Sequence, residues 1–194
     1  PEADRNIAAV RAIGELEASR NADFFVSEMV DFYAMVANTD GLRSANAMLF
    51  DGFSLLYTKK ADAARAKFVE SREAFAAGGD RWNSMIADLW VAHALSDLSK
   101  IEESDGILRK LKIECASKRF VWLGVHIDDW MVNNRHLRGD SGRSIAMNRE
   151  LLEQAEVIGD VAFSNRSNGM IAERYQSIGD TRRAIDHVGR IDLN

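Results

Sequence analysis

The chain has 194 residues, 46% of them hydrophobic and 28% charged, with a formal net charge of −5. That balance excludes a disordered chain, and Lys and Arg scattered among Asp and Glu offer no basic stripe for nucleic acid. The longest apolar runs, such as 89–92 and 120–125, fall far short of the roughly 18 residues that cross a bilayer, so no membrane span is expected.

The only proline is Pro1, which leaves every later segment free to be helical, since an internal proline would remove a backbone donor and clash with the preceding turn. The start at Pro1, without a methionine or a charged-then-apolar leader, points to a processed N-terminus or an excised segment. Taken in chain order, helices are predicted near 3–18, 22–37, 41–57, 61–77, 81–98, 101–117, 120–137, 141–157, 161–177 and 181–192. They pair into five hairpins of one domain, near 1–39, 40–79, 80–119, 120–159 and 160–194.

Each predicted helix carries an apolar stripe. Phe50, Phe53, Leu55 and Tyr57 supply it in the third, and Ile86, Leu89, Trp90, Ala94 and Leu98 in the fifth. In the sixth, the single cysteine, Cys115, sits among Leu111, Ile113 and Ala116 and reads as a buried thiol with no activating base. With no internal disulfide available, a reducing, cytoplasmic setting fits, and so does the periplasm. The neighbouring basic cluster of Arg109, Lys110, Lys112, Lys118 and Arg119 is interleaved with glutamate and apolar residues, which suits a solvated face. In the last helix Ile185, Val188 and Ile191 line a face that a further helix would cover. The chain is therefore expected to continue in a parent protein, or to pair with a second copy through this open C-terminal end.

The punctuation is periodic. Gly139-Asp140 and Gly179-Asp180 lie one forty-residue period apart, and Gly79-Asp80 and Gly159-Asp160 form a second series at the half-period. Thr39-Asp40 and the Gly-Asp pairs also place side-chain oxygens where the first amides of the next helix need acceptors. Stacked at this period, Phe50, Trp90, Trp130 and Met170 form a bulky column, Gly52, Ala92, Val132 and Ala172 a small one, and Ala64, Ser104, Ser144 and Ala184 another small one. Small columns let helix axes approach while bulky ones fill grooves. The four tryptophans, Trp82, Trp90, Trp122 and Trp130, are accordingly read as core.

Ala172, Tyr175, Gly179-Asp180 and Ala184, with Val132, Gly139-Asp140 and Ser144 as a looser echo, resemble the tetratricopeptide repeat family over residues 40–190. The longer period and the absence of the family's repeat-end proline make the chain look like the divergent long-helix repeats of bacterial signalling and transcription-regulatory proteins. The resemblance implies an all-α, right-handed α-α superhelix, a TPR-like solenoid of about five hairpins. It further implies a concave groove lined by the first helix of each hairpin. Position by position, that groove takes Asn46, Phe53, Leu56, His93, Ser96, Asp97, His126, Asp129, Asn133, His136, Arg166, Glu173 and Gln176.

Within this set His126, Asp129, Asn133 and His136 share one helical face and form a polar strip suited to a peptide, a protein partner or a small effector. A metal site from His93, His126 and Asp129 is the sharper alternative, although its spacing lacks the paired ligands of zinc motifs. No nucleophile elbow, phosphate loop, zincin or kinase motif occurs, and adjacent Asp128 and Asp129 point about 100° apart on a helix. The expected function is thus a non-catalytic interaction or ligand-sensing module with no cofactor, the rival being a metal-dependent binder or enzyme.

Overall fold

The computed structural model describes residues 2–36 and 39–191. Among them are ten helices and no strand: α1 (Glu2–Asn21), α2 (Phe25–Met35), α3 (Asp40–Tyr57), α4 (Ala61–Ala77), α5 (Arg81–Asp97), α6 (Ile101–Lys118), α7 (Val121–Leu137), α8 (Ser141–Ile158), α9 (Val161–Ser177) and α10 (Thr181–Val188). The fold is all-α, and from α3 to α9 each helix starts and stops within a residue of its predicted bounds. The predicted ends at 37 and 192 lie outside the described residues.

What sets these bounds is a repeated piece of backbone chemistry. Positive φ occurs at Lys59, Gly79, Ser99, Arg119, Gly139, Gly159 and Gly179, one residue in every twenty. In each case the following amide closes the ended helix by bonding five residues back: Lys60 to Leu55, Asp80 to Phe75, Lys100 to Leu95, Phe120 to Cys115, Asp140 to Arg135, Asp160 to Ala155 and Asp180 to Tyr175. This left-handed closure satisfies carbonyls that a helix end leaves orphaned. The side chains of Asp80, Asp140, Asp160 and Asp180 then accept from the backbone N–H three residues on, capping the next helix. A Gly-Asp pair therefore stops one helix and starts the next.

Residues 1–127 and 128–194 form two compact units. In the first, α1 packs on α2, α3 on α4, α4 on α5 and α5 on α6. In the second, α8 packs on α9 and α9 on α10. Consecutive packing of this kind is that of a helical repeat. The small columns are buried throughout: Gly52, Ala92, Val132 and Ala172, and likewise Ala64, Ser104, Ser144 and Ala184. A Cβ on Gly52 would lie 2.4 Å from the ring of Phe68, so glycine is what lets α3 and α4 meet. The second unit closes around Ile145, Leu152, Ile171, Tyr175 and Ala184, leaving Ile185 and Val188 of α10 exposed. Cys115 is buried, as expected.

The bulky column corrects the sequence reading. Trp90, Trp130 and Met170 are half-buried, but Phe50 is 65% exposed. The cause lies in α1 and α2, which do not repeat the later hairpins: their turn puts positive φ at Ala22, out of register with the twenty-residue series. Nor does α2 cover Phe50. Phe32 and Tyr33 contact Trp82 and the Asp80 cap at the start of α5, while Phe25 packs on Phe120 and Trp122 at the start of α7, ring centroids 5.2 and 5.6 Å apart. Between α1 and α2 the buried Asp23 carboxylate accepts from the amides of Phe25 (2.9 Å) and Trp122 (2.6 Å), holding the starts of α2 and α7 to one side chain. Trp82 is the one tryptophan fully in the core; Trp90, Trp122 and Trp130 are only half-buried.

Candidate functional site

In the first unit a cleft of about 490 Å³ opens between α3 and α5, the first helices of two successive hairpins. Phe53, Leu56 and Tyr57 line it from α3, and Trp90, His93 and Asp97 from α5, with Lys59 at the end of α3. Spacings of three, four and seven put each set on one helical face. The floor is aromatic. Phe53 meets Trp90 edge to face at 4.7 Å, and both rest on the fully buried Phe68 of α4, at 5.5 and 6.0 Å. His93 lies against the Trp90 ring at 5.2 Å and reaches Asp97 with Nε2 to Oδ1 at 3.7 Å.

The charged groups gather at one end. Burial pushes the Asp97 carboxyl above its ordinary value, and the charge of Lys59 draws it part of the way back. Lys59 is held there by its left-handed closing position, where φ is 61°. An apolar body with a few convergent polar groups is the composition of a binding pocket.

Four groove residues from the sequence reading, Phe53, Leu56, His93 and Asp97, thus meet in one cleft. Asn46 does not line it; its Nδ2 donates to the Leu42 carbonyl, and its amide approaches Tyr33 beside Asp80. That Tyr33 phenol, hydrogen-bonded to Asp80, is pushed up first by burial and then by the carboxylate. Ser96 is buried against Ala92 and Ser104. His126 stacks edge-on against Trp122 at 4.6 Å.

The second unit brings a different set together. Asp129, 1% exposed, takes Arg166 Nη2 at 2.8 Å, and the Arg166 guanidinium lies over Trp130 at 5.5 Å. Asp129 is therefore an inter-helix anchor between α7 and α9, correcting its reading as an open groove residue. Arg174 is wholly buried beside it: Nε donates to Ser144 Oγ at 2.5 Å and Nη1 to the Met170 carbonyl at 3.0 Å. The Asn148 amide, with its oxygen turned to Arg174, accepts from the same guanidinium. Burial lowers the Arg174 pKa, while Asp129 and Glu173 oppose that shift. His136 contacts Ser141 at 3.1 Å, its pKa lowered by burial and then by Arg174. Asn133 is half-buried, and Glu173 and Gln176 are exposed.

Tyr57, Lys59, Trp90 and Arg174 were missed as site residues. The period did carry a signal for Arg174, which shares a column with Ala94 and Asn134, and all three are fully buried. Another cavity of about 400 Å³, lined by residues including Glu156, Ser164, Asn168 and Arg190, lies among α8, α9 and the end of α10. It has no aromatic wall. Among the described residues no group of three or more His, Cys, Asp or Glu is placed to hold a metal ion. No helix among them is long and apolar enough to cross a membrane. Comparison with models of known protein families and with curated proteins gives no match.

Proposed function

We propose that this chain is a non-catalytic binding module of the helical-repeat type, which takes an apolar peptide side chain or small effector into the α3–α5 cleft. One observation carries the reading: first-helix residues of two successive hairpins, Phe53 and Trp90, meet as an aromatic floor with His93, Asp97 and Lys59 at one end. Such a floor contributes roughly 25 cal/mol for each Å² of apolar surface it covers, and the polar end orients what it holds. The tetratricopeptide-like superhelix belongs to the same proposal, supported by the twenty-residue series of closing turns. So does a place in a larger signalling or regulatory protein, where occupancy of the cleft would be read by another domain. The rival metal-dependent reading gains no support from the geometry.

The test is a titration of isotope-labelled protein with a panel of small apolar and amphiphilic fragments, followed by amide shifts. Shifts should concentrate on residues near Phe53, Tyr57, Trp90 and His93. Tyr57→Ala, at a largely exposed position, should weaken binding by about three- to tenfold without unfolding the chain, given the area an aromatic ring covers. Shifts centred on the α8–α9 cavity, or scattered over the surface, would refute the assignment.

A further inference from the structure

The cleft is electrically lopsided, and its lopsidedness names a ligand class. Both helices that form it end beside it, α3 at Tyr57 and α5 at Asp97. A helix C-terminus carries about half a negative charge on its outermost carbonyls, and proteins commonly set Lys, Arg or His in the last turn to offset it. Neither helix has a basic residue in its last turn. The α5 terminus instead carries a carboxylate, Asp97, the sign that the dipole disfavours.

Asp97 keeps 39% of its side chain exposed, so burial adds only a little to the imbalance, the carboxyl having no arginine or lysine in hydrogen-bonded contact. The named counter-charges are Lys59, which acts on Asp97 through space, and His93 at 3.7 Å. The side chains alone balance, Asp97 against Lys59; the ends of α3 and α5, reduced by their closing turns and by the starts of α4 and α6 that follow, tip this end of the cleft toward negative. The opposite end is Phe53, Leu56 and Trp90, with no charge at all.

Resting on the assignment of the cleft as a ligand site, we propose that it selects an amine-headed apolar ligand. The aryl or alkyl body lies on Phe53 and Trp90, and the ammonium lies between Asp97 and the carbonyl ends of α3 and α5. Lys59 is the internal cation with which that head competes. Opposite signs are therefore expected for two substitutions: removing Asp97 weakens an amine, and removing Lys59 strengthens it. An anionic ligand would show the reverse pair.

Phenethylamine, 2-phenylethanol and 3-phenylpropionate share a body and differ in head, and calorimetry or amide shifts at low salt rank them. For ligands of about ten heavy atoms, dissociation constants near 0.1–1 mM are the scale to look for. Phenethylamine should bind about five- to tenfold tighter than 2-phenylethanol, the ratio a unit charge near 4 Å gives in a wet site, and 3-phenylpropionate weaker than the alcohol by a similar factor. The preference should shrink in about 0.5 M salt, where the screening length falls to roughly 4 Å. It should vanish in Asp97→Asn and widen in Lys59→Gln, both checked for unchanged thermal unfolding. Equal binding of all three probes would overturn the amine assignment and leave the cleft standing. Tighter binding of the anion, or a preference that survives Asp97→Asn, would also overturn it. Binding of none would remove the cleft assignment together with it.

Discussion

Gly52→Ala sets two forces of known sign against each other at one position. Alanine is a better helix former than glycine by about 0.8–1.0 kcal/mol, so at an unconstrained helical site the change stabilises. At position 52 the new methyl would lie 2.4 Å from Phe68 Cε1, 2.6 Å from Cδ1 and 3.0 Å from Cζ. Optimal carbon contacts are about 3.5–4.0 Å, so the overlap is roughly 1 Å along one edge of the ring. Phe68 cannot swing away, because it is fully buried beneath Phe53 and Trp90. Overpacking costs about 1–3 kcal/mol, and an overlap this deep against an immobile ring belongs to the upper half of that range, about 2–3 kcal/mol, which leaves a net loss near 1–2 kcal/mol after the propensity gain. With a urea slope near 2 kcal/mol per molar, the midpoint should fall by about 0.5–1 M. Gly106→Ala in α6 is the matched control, since its Cβ would meet nothing within 4 Å. It should rise by the propensity term alone, near 0.8 kcal/mol. Equal shifts of the two variants, in either direction, would refute close approach of α3 and α4 as the reason for glycine at 52.

Two further outcomes follow from the turns and the histidines. Ser99 holds φ at 59° in the closing series where other turns use glycine; Ser99→Gly relieves left-handed strain at some cost in chain entropy, and should stabilise by roughly 0.5–1 kcal/mol in thermal or denaturant unfolding. No gain would mean the strain is absent. His136 and His187 both sit below the model-peptide value of 6.5, chiefly through burial. The unfolded chain therefore binds protons first, and stability from these groups is present above 6.5 and lost as pH falls through it. Unfolding free energy should thus drop between about pH 7.5 and 5.5, and His187→Gln should flatten part of that slope; an unchanged slope in the variant would contradict the assignment.

The period was legible because a helix-to-helix turn makes two chemical demands at fixed places, a left-handed residue and a side-chain acceptor, and Gly-Asp meets both. It was harder to see where Lys59, Ser99 and Arg119 take the left-handed position, since nothing in their chemistry announces it. The α3–α5 cleft was reached in part, since the resemblance, taken position by position, had already picked out Phe53, Leu56, His93 and Asp97. Trp90 was not picked out, because burial in a core and exposure on a cleft floor ask the same thing of an indole. Asp129 was misread for the converse reason, its partner Arg166 lying 37 residues on, beyond any local pattern. The place of α2 was not legible, because only contacts between residues about a hundred apart, from Asp23 and Phe25 to Trp122, reveal where it lies.

That placement of α2 changes how the first unit comes apart. A stack whose members touch only their neighbours can peel from an end, one hairpin at a time. Here the shared Asp23 carboxylate and the Phe25–Phe120 contact tie a segment near the start to one almost a hundred residues later. Peeling from the front must first release the roots of both α5 and α7, so the intervening helices melt as a single block. The closing of that long loop belongs to the slow part of folding, because its entropy is lost before the contacts repay it.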